Sequence, residues 1–223
     1  MTFPDAIRAA ALSDNFDGWF CYAKSVEAAR NSGWWDFSHH ILTPEVTRRI
    51  SDPHRATCLE IGYGGGRLMA PAKCHFGRAV GVDIHDQEAR VNGYLSSYPG
   101  SSQLVRYDGT PLPLKAKSVS LVYSFIVFQH FSAFSEAEWY MREIARVMSG
   151  VAQIYYKPHK HPGKVMEYAA PPNHATLEIG RDIMVQLAES CGLRVVDEGE
   201  SSQVMNRLAK GGQRYITLEQ ANA

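Results

Sequence analysis

The chain has no surplus of charge of either sign: its 223 residues hold 23 Lys and Arg against 23 Asp and Glu. Proteins that grip nucleic acid carry a basic excess that neutralises phosphates. The balance therefore points away from nucleic acid and towards a small-molecule substrate. Cysteine is also scarce. Cys21, Cys58, Cys74 and Cys191 are scattered, with no C-x-x-C pair to hold a metal or run redox chemistry. They read as reduced thiols of a cytoplasmic protein. No run reaches the ~18 apolar residues of a membrane helix. The opening "MTFPDAIRAAAL" lacks the basic-then-apolar build of a secretory signal. Neither a membrane nor a nucleic acid is expected as a partner. A metal site from His159, His161 and His174 lacks a completing Cys or acid, so no metal is expected.

What the chain does have, from residue 46 onwards, is alternation. Residues 4–30 have a helical composition, "NSGWWDF" breaks it, and Thr43 with Pro44 makes a good helix start. Residues 1–45 are expected to form a helical extension or lid, and residues 46–223 one domain. "ATCLEI", "RAVGVDI", "SQLVRYD", "SVSLVYSF" and "VAQIYY" read as buried strands, the fourth nearly all apolar or small. "RLMAPAKCH", "DQEARVNGYLSSY" and "SEAEWYMREIARVM" read as the helices between them. In the last of these, Ser135 and Glu138 match a capping box. "TLEIGRDIMVQLAESCG" is expected as a helix that Gly192 ends, and "LRVVDEG" and "QRYITLE" as two closing strands. The pattern predicts an α/β fold: a doubly wound, mostly parallel seven-stranded sheet, helices on both faces, and an antiparallel C-terminal edge.

In such a sheet, ligands sit outside the carboxyl ends of the strands, near the switch point. There stands "CLEIGYGGGRL", residues 58–68. A phosphate-cradling P-loop needs Lys followed by Ser or Thr, and Gly66 is followed by Arg67 and Leu68. A dinucleotide fingerprint beginning at Gly62 would need a small residue where Arg67 stands. What remains is an acid before spaced glycines: Glu60, Gly62, Gly64 and Gly66. A carboxylate at this strand end repels a pyrophosphate and suits a cation such as an amino acid's ammonium. Asp83 ends the second strand, where an acid accepts from ribose hydroxyls, and Asp86 is expected to cap the helix that follows. Asp108 lies at the end of the third, placed to accept from an adenine amine. The three acids suit an amino acid, a ribose and a base in turn.

These stretches together resemble the class I S-adenosylmethionine-dependent methyltransferases, most closely the type-11 methyltransferase domain. "CLEIGYGGGRL" resembles that family's first motif and "VGVDIH" its second. "YDGTPLPLKAKSVSLVYSFIVFQHF" resembles its run of an acid, a Leu-Pro element, a fourth strand and a His-containing turn. "MREIARVMSG" resembles the helix that leads to its fifth strand, so that the likeness spans about residues 55 to 156. Glu60 replaces the usual Asp, Tyr63 a small residue or Cys, and "MSGVAQ" the usual Pro-Gly-Gly turn. The resemblance implies the Rossmann-like methyltransferase fold, S-adenosylmethionine as cofactor, and a donor site of Glu60, Gly62, Tyr63, Gly64, Gly66, Asp83, Ile84, Asp108, Gly109 and Ser124.

It also places His130, in the turn after the fourth strand, beside the methyl donor. Histidine is the natural base there for a hydroxyl or amine. Tyr156, His159 and His161 follow the fifth strand, and Trp34 and Trp35 stand in the extension. These five are the expected substrate contacts. The expected function is methyl transfer to an oxygen or nitrogen of a small molecule, a sugar or secondary metabolite. A non-catalytic donor-binding protein and a nicotinamide oxidoreductase are the alternatives.

Overall fold

The computed structural model describes residues 3–12, 16, 25–107, 109, 111–169, 175–201 and 212–221. The five predicted parallel strands form as β1 (Thr57–Ile61), β2 (Arg78–Asp83), β3 (Ser102–Arg106), β4 (Val119–Ser124) and β5 (Met148–Tyr156). Helices α1 (Phe3–Ala11), α2 (Val26–Asp36) and α3 (Pro44–Thr47) precede them. Between them run α4 (Met69–His75), α5 (Glu88–Leu95) and α6 (Phe134–Val147). Beyond β5 come β6 (Val165–Glu167), β7 (Leu177–Ile179), α7 (Arg181–Ser190), β8 (Leu193–Glu200) and β9 (Arg214–Gln220).

The main sheet has the order β3-β2-β1-β4-β5-β9-β8. Neighbours from β3 to β5 are parallel. β9 runs antiparallel to both β5 and β8, which makes the expected edge. Chain order reverses between β1 and β4, so the switch point lies above their carboxyl ends. Side chains alternate across each strand. Leu59, Ile61, Val122 and Ile154 meet one core with α6 and α7. Cys58, Leu121, Tyr123 and Tyr155 meet the other, with residues of α4, α5 and the Phe37–Ile41 turn. Glu60 points with the second set, towards α2 and α4.

Four local expectations need correction. α6 starts two residues earlier than its capping box allows. Ala133 is the N-cap and no side chain caps it. Ser135 thus lies inside the first turn, and the Phe134 N–H is donated to Glu167 Oε1 at 2.6 Å instead. The segment "TLEIG" is not helix: Leu177–Ile179 pairs with β6, and Gly180 is the N-cap of α7. A Cβ at Gly180 would sit 2.2 Å from the Pro162 carbonyl oxygen, so glycine is needed for the close approach. Asp86 does not cap α5, whose N-cap is Gln87. Finally, α6 passes into β5 at Val147–Met148 with no intervening turn.

Two predicted features stand as expected. The Thr43 hydroxyl accepts from Val46 N, with Pro44 in the first turn. Gly192 takes φ +75° just past α7. In the N-terminal extension, Phe3–Ala11 and Val26–Asp36 are helical. Residues 13–15 and 17–24 lie outside the described residues.

Candidate functional site

The carboxyl ends of β1, β2 and β4 carry a compact polar cluster. Glu60 is only 3% exposed, and the Tyr123 hydroxyl donates to its Oε2 at 3.1 Å. Burial pushes the Glu60 carboxyl up to about 8, moderated by the Tyr123 hydrogen bond and by Arg67. A buried acid this reluctant to ionise is ready for a cationic ligand, whose charge would reverse that preference.

After β1 the chain turns on glycines. Gly62, Gly64 and Gly66 have φ of +81°, +49° and +83°, a region that costs an L side chain about 1–2 kcal/mol. Their turn is held by the end of β2. Asp83 Oδ2 accepts from Gly64 N at 2.7 Å, and Oδ1 accepts from Ile84 N at 2.7 Å. Each oxygen keeps a second lone pair, as two ribose hydroxyls require. His85 completes the clasp: its Nε2 lies 3.0 Å from the Gly64 carbonyl, and its Nδ1 accepts from Gln87 N at 3.2 Å. Since Nδ1 accepts, Nε2 carries the proton and donates. Asp83 and His85 thus hold Gly64 from its N–H and its C=O.

Tyr63 fills the space that a smaller residue would leave. Its ring lies against Gly81 and edge-on to His85, with 4.9 Å between the ring centroids. Phe16 covers the other side of His85 at 5.2 Å. The Ser124 hydroxyl donates to the Ile61 carbonyl and ties β4 to β1. Gly109 takes φ +95°. Asp108 and His174 lie outside the described residues. The structure therefore brings Glu60, Gly62, Tyr63, Gly64, Gly66, Asp83, Ile84 and Ser124 to one sheet edge.

A second cluster adjoins the first from the side of α2. Gly33 packs so tightly on the turn that a Cβ there would meet the Arg67 carbonyl oxygen at 2.2 Å. Beside this contact Arg67 pairs with Asp36, and its guanidinium lies 5.5 Å from the centre of the Phe125 ring. Past Asp36 the chain makes one π-helical turn, Phe37–Ile41, closed by Leu42 N donating to the Phe37 carbonyl. This wide turn buries His40 between Phe125 and Tyr155, with ring centroids at 5.4 and 5.6 Å. Burial pulls the His40 imidazole below its ordinary value, opposed by the nearby Asp36.

Asp36, Arg67, His40, His85, Tyr123 and Tyr155 went unpredicted as site residues. One signal was in reach: Asp36 and His40 stand four apart, the spacing of neighbours on a helix face.

The predicted acceptor residues are more dispersed. His130 sits in a 3₁₀ turn, Phe128–His130, with its Nε2 3.0 Å from the Gln129 side-chain nitrogen. Gln129 also bonds Gln213, and Thr176 donates its backbone N–H to the Gln129 carbonyl at 2.8 Å. Tyr156 is buried in the core on the α6–α7 side. His159 and His161 lie together on the surface, ring centroids 5.4 Å apart. Trp34 packs on Tyr98, while Trp35 is 65% exposed and stacks on His39.

Residues 59–153 match a family model described as a methyltransferase domain. No curated protein matches the chain in sequence. Among solved structures, magnesium protoporphyrin IX methyltransferase from Synechocystis PCC 6803, with bound S-adenosylhomocysteine, is similar at a TM-score of 0.67 and 14% identity. That match covers 96% of this chain and 98% of that one. The 1,6-didemethyltoxoflavin-N1-methyltransferase of Burkholderia thailandensis, with bound 1,6-didemethyltoxoflavin and S-adenosylhomocysteine, is similar at 0.67 and 16%, over 97% of this chain and 88% of that one. The [4+2]-cyclase SpnF shares the fold at 0.67 and 13%, over 99% and 97%.

Proposed function

We propose that this chain, a methyltransferase by its domain and fold, moves the methyl group of S-adenosylmethionine to an oxygen or nitrogen of a small molecule. The observation that carries the donor assignment is the pair of strand-end acids. Glu60 is buried with a single hydrogen bond from the described residues, and Asp83 presents both oxygens beside the glycine turn. Glu60 takes the donor's ammonium and Asp83 its ribose hydroxyls. Gly62, Gly64 and Gly66 let the backbone pass close beneath. Nothing in this turn resembles a phosphate cradle, which disfavours a nicotinamide dinucleotide.

When bound, the donor supplies a methyl group on a positively charged sulfur, which the carbon–sulfur electron pair returns to a neutral thioether. The protein's own contribution is placement, with proximity and alignment worth several kcal/mol of barrier or more. Phe125 and Tyr155 add buried aromatic surface beside the ends of β4 and β5. The balanced charge and this aromatic supply support a neutral hydroxylated or aminated acceptor, such as a sugar or secondary metabolite. His130 belongs to the turn that would face it.

Calorimetric titration with S-adenosylmethionine, S-adenosylhomocysteine and NAD tests the donor assignment. Binding of both adenosyl ligands and not NAD is expected; binding of NAD alone contradicts it. Release of S-adenosylhomocysteine on adding a panel of hydroxylated and aminated acceptors tests the transfer.

A further inference from the structure

His40 lies at the junction of three elements that end at the site. Arg67 and Asp36 reach it from the glycine turn and α2, Phe125 from the end of β4, and Tyr155 from the end of β5. Its two ring nitrogens are not alike. The Tyr155 hydroxyl donates its one proton to the His40 carbonyl at 3.1 Å. The hydroxyl oxygen is then left to accept from His40 Nδ1, 3.2 Å away. Nδ1 therefore bears the proton, and Nε2 carries the free lone pair. Nε2 is buried and has no hydrogen-bond partner among the described residues; Asp36 Oδ1 is 4.0 Å off. A buried polar atom left unpaired costs about 1–3 kcal/mol. Such an atom calls for an explanation, and a catalytic role is one of those such groups have.

We propose that His40 is the proton acceptor of methyl transfer, receiving at Nε2 the proton of the acceptor's hydroxyl or amine. The O–H or N–H bond breaks, the N–H bond forms on His40, and the electron pair released stays on the nucleophile for its bond to the methyl carbon. The imidazolium so formed faces Asp36, which Arg67 holds in place, and then releases the proton to water. Asp36 and Tyr155 are positioning residues: one stabilises the charged ring, the other selects its tautomer. The role deepens the methyl-transfer function proposed above and rests on it. It also narrows the substrate class to acceptors with an ionisable proton on the reacting atom, and disfavours thioethers and tertiary amines.

The test needs no known acceptor. Two-bond ¹H–¹⁵N spectra of the ¹⁵N-histidine protein read each ring's tautomer and titration, and filtered NOEs from S-adenosylmethionine labelled with ¹³C at the methyl locate that methyl. The charged or titratable groups facing His40 are Asp36, His39, Arg67 and Tyr155. A neutral, Nδ1-protonated His40 at pH 7 is expected, together with an NOE from the donor methyl to its ring. Its midpoint should fall further with S-adenosylmethionine than with S-adenosylhomocysteine, because only the former brings a positive sulfur. Tyr155→Phe should release the tautomer preference, and Asp36→Asn should lower the midpoint. Donor binding with NOEs to His130 and none to His40, or an Nε2-protonated His40, overturns the assignment while leaving methyl transfer standing. No donor binding overturns both.

Discussion

The proposed donor side and the proposed acceptor side of this sheet edge are built in opposite ways. On the proposed donor side, Glu60, the glycine turn and Asp83 to His85 lie within one β–α–β unit, and the side chains of Asp83 and His85 bond the backbone of the turn, with Tyr123 of β4 bonding Glu60 from outside it. On the proposed acceptor side, the turn after β4, the segment before β7 and the residue before β9 meet at Gln129, while α2 and its π-helical turn pack on the ends of β4 and β5. Gln129 shows the difference. It joins His130, Thr176 and Gln213, three residues from three separate segments. On the proposed function, a ligand common to many proteins is met by a local, repeatable device, and a ligand particular to one protein by distant pieces that the fold brings together.

The sharpest break of this comparison is on the donor side. Replacing Glu60 and Asp83 together by Ala should lower S-adenosylmethionine affinity on the order of a hundredfold or more, since each charge-assisted hydrogen bond contributes about 1.5–3 kcal/mol. Calorimetry measures it, and an unchanged affinity would refute the site. Next in size are two glycines that brace the edge. Gly62→Ala combines φ +81° with a Cβ 2.3 Å from Val127 Cγ2, and Gly33→Ala drives a Cβ into the Arg67 carbonyl. Each should cost about 2–4 kcal/mol of stability in denaturant melts. The comparison predicts that Gly62→Ala also weakens donor binding, whereas Gly33→Ala chiefly displaces α2, Asp36 and His40.

A smaller effect is tied to pH. Glu60 has an ordinary value of 4.5 in the unfolded chain and about 8 in the fold. Between these values the folded protein holds a proton that the unfolded chain lacks. Its contribution to stability is therefore full below about pH 4.5 and declines as pH rises to about 8. Melting temperature measured from pH 5 to 9 should show this slope in the native protein and less of it in Glu60→Gln; identical slopes would count against a neutral Glu60. Smallest of all, Trp35→Ala on the exposed face of α2 should change stability by no more than about 0.5 kcal/mol and leave donor affinity as it was.

The same contrast explains what could be read from the chain. The seven-stranded sheet with its antiparallel edge, the glycine turn and the strand-end places of Glu60 and Asp83 were legible because each depends on a few adjacent residues: apolar strand runs, positive-φ glycines, an acid at a strand end. His40 was not read as a site residue because "NSGWWDF" looks like a helix break, whereas α2 runs through it to Asp36 and carries the inward face on to His40. His39 stacks on Trp35 at the surface while its neighbour is buried. The β6–β7 pair was hidden for a related reason. Ile179, Ile183 and Leu187 keep a spacing of four straight through Gly180, so strand and helix share one periodic pattern. Only the close contact between Gly180 and Pro162, distant in sequence, separates them.

The central claim is that the buried acid at the end of β1 receives the cationic end of the methyl donor. At pH 7 a Glu60 that titrates near 8 is mostly protonated and must ionise to pair with an ammonium. Calorimetry of S-adenosylmethionine binding in two buffers of different ionisation heat counts the protons exchanged. Release of about one proton by the native protein, and of none by Glu60→Gln, is the predicted result. No binding, or the same proton count in both proteins, would contradict it.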